Sequence, residues 1–386
     1  MKPRTILFLI RSWAFGGSHT VVLHLMKHLP RDRFNVVCVP YDTFSGSDEL
    51  FIEQVHLRGL PLAEDRVPWK SRSNWNKARS TVSRLITKYE ADLIHTHDPH
   101  SNTMIGIGRS AWPCACVASA YGWWDGPLPL RRTVYQWIER QFALPHFERV
   151  ITVSEHMKAR ILRGPTPEDR IRIIHTGIEL NTVRKDADGP AFRAKLGIPA
   201  DAVVVGTVSR VSVEKGHRYL LEAALKLRDR HPHMRVLICG DGPARKDLEE
   251  QAARLDLRDR VIFTGFINDL PSALAAMDIF AQPSVEQEGF PTSVLEAQAA
   301  GLPVVASDIG GTHETMQSRE TGLLVRPRDA FSLVEALTEL IENPGRRAAM
   351  SAAAREWVES QFTLQRMIDQ VTETYDEAIA LHNRRA

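Results

Sequence analysis

A chain of 386 residues is too long for one ordinary core and ample for two domains. Its 43% hydrophobic and 25% charged content is that of a globular protein. No apolar run approaches the roughly 18 residues of a membrane span, which argues against the integral-membrane and disordered classes. The net charge of +2 is unevenly spread: residues 1–190 hold 26 Lys+Arg against 19 Asp+Glu, and the remainder 23 against 28.

The chain opens "MKPRTILFLIRSWAFGG", basic and then apolar like a signal peptide. Arg11 cuts the run too short, so residues 5–10 predict a buried first strand instead. A Gly16-Gly17 turn and the amphipathic "HTVVLHLMKHL" follow. "FNVVCVP" (34–40), "ADLIHTH" (91–97), "CACVASA" (114–120) and "RVITVS" (149–154) predict further strands, with helical patterns between them. Within residues 70–90, Lys70, Arg72, Lys77, Arg79, Arg84 and Lys88 face only Glu90, with Trp69 and Trp75 among them. Such a face suits solvent, or an anionic lipid surface or substrate. Cys38, Cys114, Cys116 and Cys239 form no C-x-x-C, so a reduced cytoplasmic protein is expected.

Residues 180–200 break the rhythm. "LNTVRKDADGPAFRAKLGIPAD" is polar, carries Gly189, Pro190, Gly197 and Pro199, and reads as a linker with a helical cap. Alternation then restarts with "AVVVGTVS" (202–209), "MRVLICG" (234–240), "RVIFTGF" (260–266), "DIFAQPS" (278–284), "LPVVASD" (302–308) and "GLLVRP" (322–327). Two helical stretches end the chain. The fold class is therefore α/β, two doubly wound Rossmann-like domains of similar size hinged near residue 190. The expected division is 1–185, 186–362, and a C-terminal helix, 363–386, returning to the first domain. Ligands of such sheets bind beyond the carboxyl ends of the strands, which points to the cleft between two facing sheets.

The informative residues cluster at those ends. Arg210 closes "AVVVGTVS", and Lys215 precedes the helix opened by Gly216-His217. Arg210 can fork onto phosphate oxygens, and Lys215 supplies a compact charge. "CGDGPARKDLEE" only partly matches a dinucleotide fingerprint, since Arg245 replaces the third glycine, and no NAD site is inferred. "VEQEGFPTSVLEAQAAGLPVV" places Pro291 at a helix start and Gly301 at its end, with Thr292 and Ser293 able to satisfy free N–H groups. That N-terminus is a ready anion site, with Glu288 before it and Glu296 on its second turn. In the first half, Gly16 and Gly17 let backbone approach a phosphate or sugar. "HTHDPHSN" places His95, His97, Asp98 and His100 at a strand end; no second cluster with metal spacing accompanies them, so His97 is read as a hydrogen-bonding or proton-handling group. Asp186-Ala187-Asp188 is a D-x-D, but in the linker.

In order and spacing, "DLIHTHD", "VITVSEHMK", "IHTGIE", "GTVSRVSVEKG", "GDGP", "FTGFINDLP", "MDIFAQPS", "EGFPTSVLEAQAAGLPVVAS" and "GGTHETM...TGLLV" resemble the family-4 glycosyltransferases, retaining enzymes of GT-B fold. Glu288 and Glu296 match that family's E-x7-E. The resemblance implies a nucleoside diphosphate sugar donor and no metal. Arg210 and Lys215 would hold the diphosphate, Glu296 the ribose and Glu288 sugar hydroxyls. The backbone near Ile267 would meet the base, and Gly289, Phe290, Pro291, Thr292, Ser293 and Val294 would line the donor site beside Gly16 and Gly17. Glu288, His97, Arg210 and Lys215 are the expected catalytic group. Many relatives place a histidine where this chain has Tyr121, beside Trp123 and Trp124; Tyr121 is a poor base at neutral pH, so the acceptor-side role passes to His97 or is lost.

The expected reaction moves a sugar to a hydroxyl of a glycan or lipid-linked acceptor, in polysaccharide or cell-surface glycan synthesis, in the cytoplasm with peripheral contact to the inner membrane face open. No nucleic acid is expected as a partner. A nucleotide-sugar epimerase and a non-catalytic nucleotide-sugar binding protein are the alternatives. A glycosidase fits worst, because its carboxylates flank one bond from opposing sides.

Overall fold

The computed structural model describes residues 2–11, 16–42, 48–68, 74–123, 130–184, 187–286 and 288–385. The chain divides into two compact units, Met1–Thr176 with Gln365–Ala386, and Gly177–Leu364.

The first unit holds β1 (Arg4–Ile10), β2 (Phe34–Asp42), β3 (Val67–Pro68), β4 (Leu93–Thr96), β5 (Ala115–Ala120), β6 (Arg149–Thr152) and β7 (Ile171–Ile173). Their order is β3-β2-β1-β4-β5-β6-β7, and every pairing is parallel. The second unit holds β8 (Val203–Val208), β9 (Met234–Cys239), β10 (Val261–Gly265), β11 (Ile279–Gln282), β12 (Val304–Ser307) and β13 (Gly322–Val325), ordered β10-β9-β8-β11-β12-β13 and again parallel. Strands such as "TILFLI" and "ACVASA" are buried on both faces, as helix-covered parallel sheets require. In each sheet the winding reverses once, between β1 and β4 and between β8 and β11. A crevice forms at such a switch point, outside the strand ends.

Two features differ from the sequence-based expectation. The polar stretch near residue 190 is not a free linker: Leu180–Arg184 and Gly189–Lys195 are short helices of the second unit. Arg193 ties the latter down, donating to Ala276 O and pairing with Asp278 at 2.8 Å, while Asp188 accepts from Ala191 N. Gly189 sits so close to Ala275 that a Cβ there would lie 2.2 Å from its carbonyl oxygen. Polar composition here marks caps and side-chain bridges. The strands β3 and β7, two and three residues long, also escape the sequence pattern.

The C-terminal helix, Leu364–Asn383, belongs almost wholly to the first unit. Tyr375 is fully buried there, Asp376 pairs with Arg4 and Arg33, and Glu377 pairs with Arg149 at 2.6 Å and Arg172 at 2.8 Å. The basic helix Trp75–Tyr89 is partly neutralised from outside its own segment: Arg84 pairs with Asp65, Lys88 with Glu64, and Arg79 lies over the Trp112 ring. Trp69, Lys70 and Arg72 lie outside the described residues, as do Trp124 and Asp186.

Candidate active site

In the second unit, the loops after β8 and β11 are locked together at the switch point. Gly216 (φ +67°) is in the left-handed region, and a Cβ on it would lie 1.9 Å from Pro283 O. Val285 N donates to Glu214 O at 2.9 Å. This packing delivers Lys215 Nζ to Glu288 Oε1 at 2.6 Å. Ser284 Oγ (2.6 Å) and Gln282 Nε2 (3.2 Å) donate to the same oxygen, and Oε2 has no hydrogen bond among the described residues. Burial pushes the Glu288 carboxyl up, but the Lys215 charge and these donors outweigh it and hold the group below its ordinary value. Glu288 is thus a fixed carboxylate with one oxygen in reserve.

Arg210, past the end of β8, is exposed, and its side chain makes no ion pair or hydrogen bond among the described residues. The "GDGP" glycines seat its loop: a Cβ on Gly240 or Gly242 would meet Ser209 O at 1.9 Å or Val211 O at 2.3 Å. They serve close backbone packing, with Val211 N donating to Asp241 O. The helix Thr292–Ala299 begins after Pro291, and no side chain caps it; Ser293 Oγ turns instead to Gln282. Its first N–H groups and the dipole's positive end stay available to an anion. Glu296 is half-buried, its carboxyl makes no hydrogen bond or ion pair among the described residues, and burial raises its pKa to about 7. The side chains of Phe290 and Val294 are buried, Phe290 packing on Phe362, so only their backbone can face a ligand. Ile267 is half-buried beside the exposed Phe266 after β10.

In the first unit, the ends of β4 and β5 enclose a cavity of about 250 Å³ lined by His97, Asn102, Ser119, Tyr121, Trp123 and Glu139, among others. His97 is buried and its imidazole is held neutral, its pKa well below the ordinary value through burial and the nearby His95 and His19. Its Nδ1 lies 2.8 Å from the Tyr121 hydroxyl, and its Nε2 has no partner among the described residues. Asp98 serves structure: it caps the helix Pro99–Ile107 through His100 N (2.9 Å) and Ser101 N (3.0 Å), and accepts from Arg11 N (2.9 Å) and Ser101 Oγ. His95 is likewise fully engaged, by Tyr375 and Ser119. Gly16 is the extended residue before the helix that Gly17 begins, and a Cβ on it would meet nothing within 4 Å among the described residues.

Two family models match the chain in succession: Glycosyltransferase Family 4 over residues 15–182 and Glycosyl transferases group 1 over residues 188–357. A GDP-mannose-dependent alpha-(1-6)-phosphatidylinositol monomannoside mannosyltransferase of Mycolicibacterium smegmatis is 30% identical over 290 residues, 72% of this chain and 74% of that one. The chain belongs to the group 1, family 4 glycosyltransferases. An Escherichia coli UDP-Gal:alpha-D-GlcNAc-diphosphoundecaprenol alpha-1,3-galactosyltransferase is 25% identical over 378 residues, 94% of each chain. Among solved structures, Anabaena HepE in complex with UDP-glucose has the same fold, with a TM-score of 0.83 at 24% identity over 96% of this chain and 99% of that one. The fold of this glycosyltransferase is thus the GT-B type, with two Rossmann-like domains.

Sequence patterns missed one prominent group of the glycosyltransferase. Glu139 is fully buried at the start of a π-helical turn, Glu139–Ala143. It accepts from Asn102 Nδ2 (2.7 Å) and Trp123 Nε1 (2.8 Å), and burial raises its pKa to about 7. A lone Glu in "QWIERQF" reads as a solvated helix face; only the apolar Trp-Ile before it and Phe after it hinted otherwise. Trp123 correspondingly lies in the core, edging the cavity through its indole.

Proposed function

We propose that the enzyme transfers a sugar, with retention at the anomeric carbon, from a nucleoside diphosphate sugar to a hydroxyl of a glycan or lipid-linked acceptor, in cell-surface glycan or polysaccharide synthesis. The second unit takes the donor and the first the acceptor. The observation that carries the donor reading is the Lys215–Glu288 pair beside an uncapped helix start, with Arg210 exposed and unengaged nearby. Arg210, Lys215 and the helix N–H groups supply positive charge where a departing diphosphate gains negative charge. Glu288 accepts from hydroxyls of the transferred sugar through its spare oxygen, and Glu296 from the ribose; the backbone at Ile267 meets the base.

The acceptor oxygen bonds to the anomeric carbon on the face the diphosphate leaves. The C–O bond to phosphate breaks with its electron pair going to the phosphate oxygen, and that oxygen receives the acceptor's proton. No protein nucleophile is required, and the two cations serve in place of a metal. Relatives whose names specify a nucleotide-linked donor support this reading, among them the GDP-mannose- and UDP-Gal-dependent enzymes. Four buried free cysteines fit a cytoplasmic setting. Among the described residues no helix is long and apolar enough to cross a membrane, so contact with a lipid-linked acceptor would be peripheral.

A thermal-shift screen of sugar nucleotides selects the donor, because a ligand that binds only the folded state raises its melting temperature. Proton NMR of the product then reads the anomeric configuration. Retention with activity intact in EDTA is expected. An inverted product, an isomerised sugar nucleotide without acceptor, or loss of activity on chelation would contradict the proposal.

A further inference from the structure

Gln282, the last residue of β11, joins two parts of the second unit's site. It is buried, and its amide makes three side-chain bonds. Nε2 donates to Ser284 Oγ at 3.0 Å and to Glu288 Oε1 at 3.2 Å, and Oε1 accepts from Ser293 Oγ at 3.3 Å. Ser284 Oγ in turn donates to Glu288 Oε1 at 2.6 Å. The Glu288 backbone is pinned from the loop after β12. Its carbonyl accepts from Gly311 N at 2.8 Å, and a Cβ on Gly310 (φ +60°) would lie 2.1 Å from that oxygen.

The amide can point only one way. An ionised carboxylate accepts and does not donate, so the end of Gln282 that faces Glu288 must be its NH2. Reversal would set two acceptor oxygens against each other, with the single Ser284 proton to share between them. With the amide so fixed, its carbonyl oxygen faces Ser293, and the Ser293 proton is committed to it. What remains of that hydroxyl is lone pairs, which repel a phosphate oxygen. An anion at this helix start is then met by backbone N–H groups and not by the Ser293 side chain.

Three donors occupy Glu288 Oε1, and Oε2 is the oxygen without a hydrogen bond among the described residues. We infer that Gln282 is a positioning residue for transfer: anchored by Ser293, it holds Glu288 by Oε1 so that Oε2 meets the sugar, and Ser293 serves this anchor instead of binding the diphosphate. This rests on the donor reading proposed above.

Lys215 is the charged group bonded to the carboxylate. On the neighbouring loops, Glu214 and Arg328 act on Glu286, whose carboxyl burial pushes up, and His313 lies 4.0 Å from Asp308. Each hydrogen bond to Glu288 favours its charged form, so losing one moves its ionisation to higher pH.

The test uses the full chain labelled with [δ-13C]glutamate, with Glu288→Gln to assign the signal. Gln282→Met keeps the volume and removes both ends of the amide; the Glu288 carboxyl is expected to titrate at higher pH in it. Gln282→Glu, which sets a second carboxyl against Oε1, should move the titration the same way and serves if the first variant does not fold. Among UDP-glucose, UDP-galactose and GDP-mannose, the one that raises the melting temperature most should shift the Glu288 signal further than its bare nucleotide does. Calorimetry should find UDP or GDP affinity in Ser293→Ala within about threefold of the unaltered protein, whereas a lost hydroxyl–phosphate bond would weaken it about tenfold or more. An unchanged Glu288 titration in a folded Gln282 variant, a signal that the sugar nucleotide moves no further than its nucleotide, or that tenfold loss in Ser293→Ala would overturn the inference while leaving the donor reading standing. If the unaltered protein binds neither UDP nor GDP, the donor reading fails and the inference with it.

Discussion

Glu288 is decided by its neighbours. Three donors converge on Oε1 and keep it ionised, which suits hydrogen bonding to a sugar and not proton delivery. Glu288→Ala is therefore expected to cut transfer by about two orders of magnitude, the size of other lost preorganised contacts. Nucleoside diphosphate affinity should stay within about threefold, because a contact made only to the transferred sugar is felt in turnover rather than in nucleotide binding; a parallel collapse of both, by calorimetry and turnover, would place Glu288 on the diphosphate instead. At this scale much was legible. Residues following a strand end and opening a helix, such as Arg210, Lys215 and Glu288, stand out because turn glycines and caps flag them. Glu139, and the partners that occupy His95, did not. Burial of a single polar residue depends on what packs over it from distant sequence: Tyr375 reaches His95 from 280 residues away.

The C-terminal helix shows how an element can be legible and its anchoring not. Its helical character was plain in "TLQRMIDQVTETYDEAIALHNRR". That its polar stripe supplies Asp376 and Glu377 to four arginines was not, since those arginines lie in β1, the loop before β2, β6 and β7. Glu377 is partly exposed, so Glu377→Gln should cost only about 1 kcal/mol. Removing residues 365–386 instead uncovers the cores against which Met367, Ile368, Val371, Tyr375 and Ala378 are buried. The truncated chain should lose the cooperative unfolding and protease resistance of its first unit, while the second keeps nucleotide binding. A truncated first unit that melts unchanged would show the helix to be dispensable. The short strands β3 and β7 and the folded stretch near residue 190 mark the opposite case, too few residues for a period to emerge.

Across the whole molecule, the buried titratable groups set an acid response. His19, His95 and His217 are driven by burial to about 4, 3 and 4, and His97 lower than its ordinary value. Unfolded, these four bind protons below about pH 6.5 and folded they do not, so their contribution to stability is lost as pH falls. Glu139 and Glu296, raised to about 7, act oppositely, binding protons in the fold between about pH 4.5 and 7. Four groups against two leave a net rise in unfolding free energy from pH 4.5 to 6.5, of roughly 1–3 kcal/mol per pH unit. Denaturant melts at pH 5, 6 and 7 check the slope; a fall with rising pH would show that the glutamates dominate. The doubly wound architecture needed no such detail, because alternating apolar runs and crossover helices specify parallel sheets by themselves.

The central claim, a diphosphate held by Arg210 and Lys215 at the start of the Thr292–Ala299 helix, is tested most directly by isothermal titration of UDP and GDP into the unaltered protein and Arg210→Ala. The account predicts binding of at least one nucleotide by the unaltered protein, weakened roughly 10–100-fold in the variant, as for a lost charge-assisted contact of about 1.5–3 kcal/mol. Equal affinity in the two proteins would contradict it.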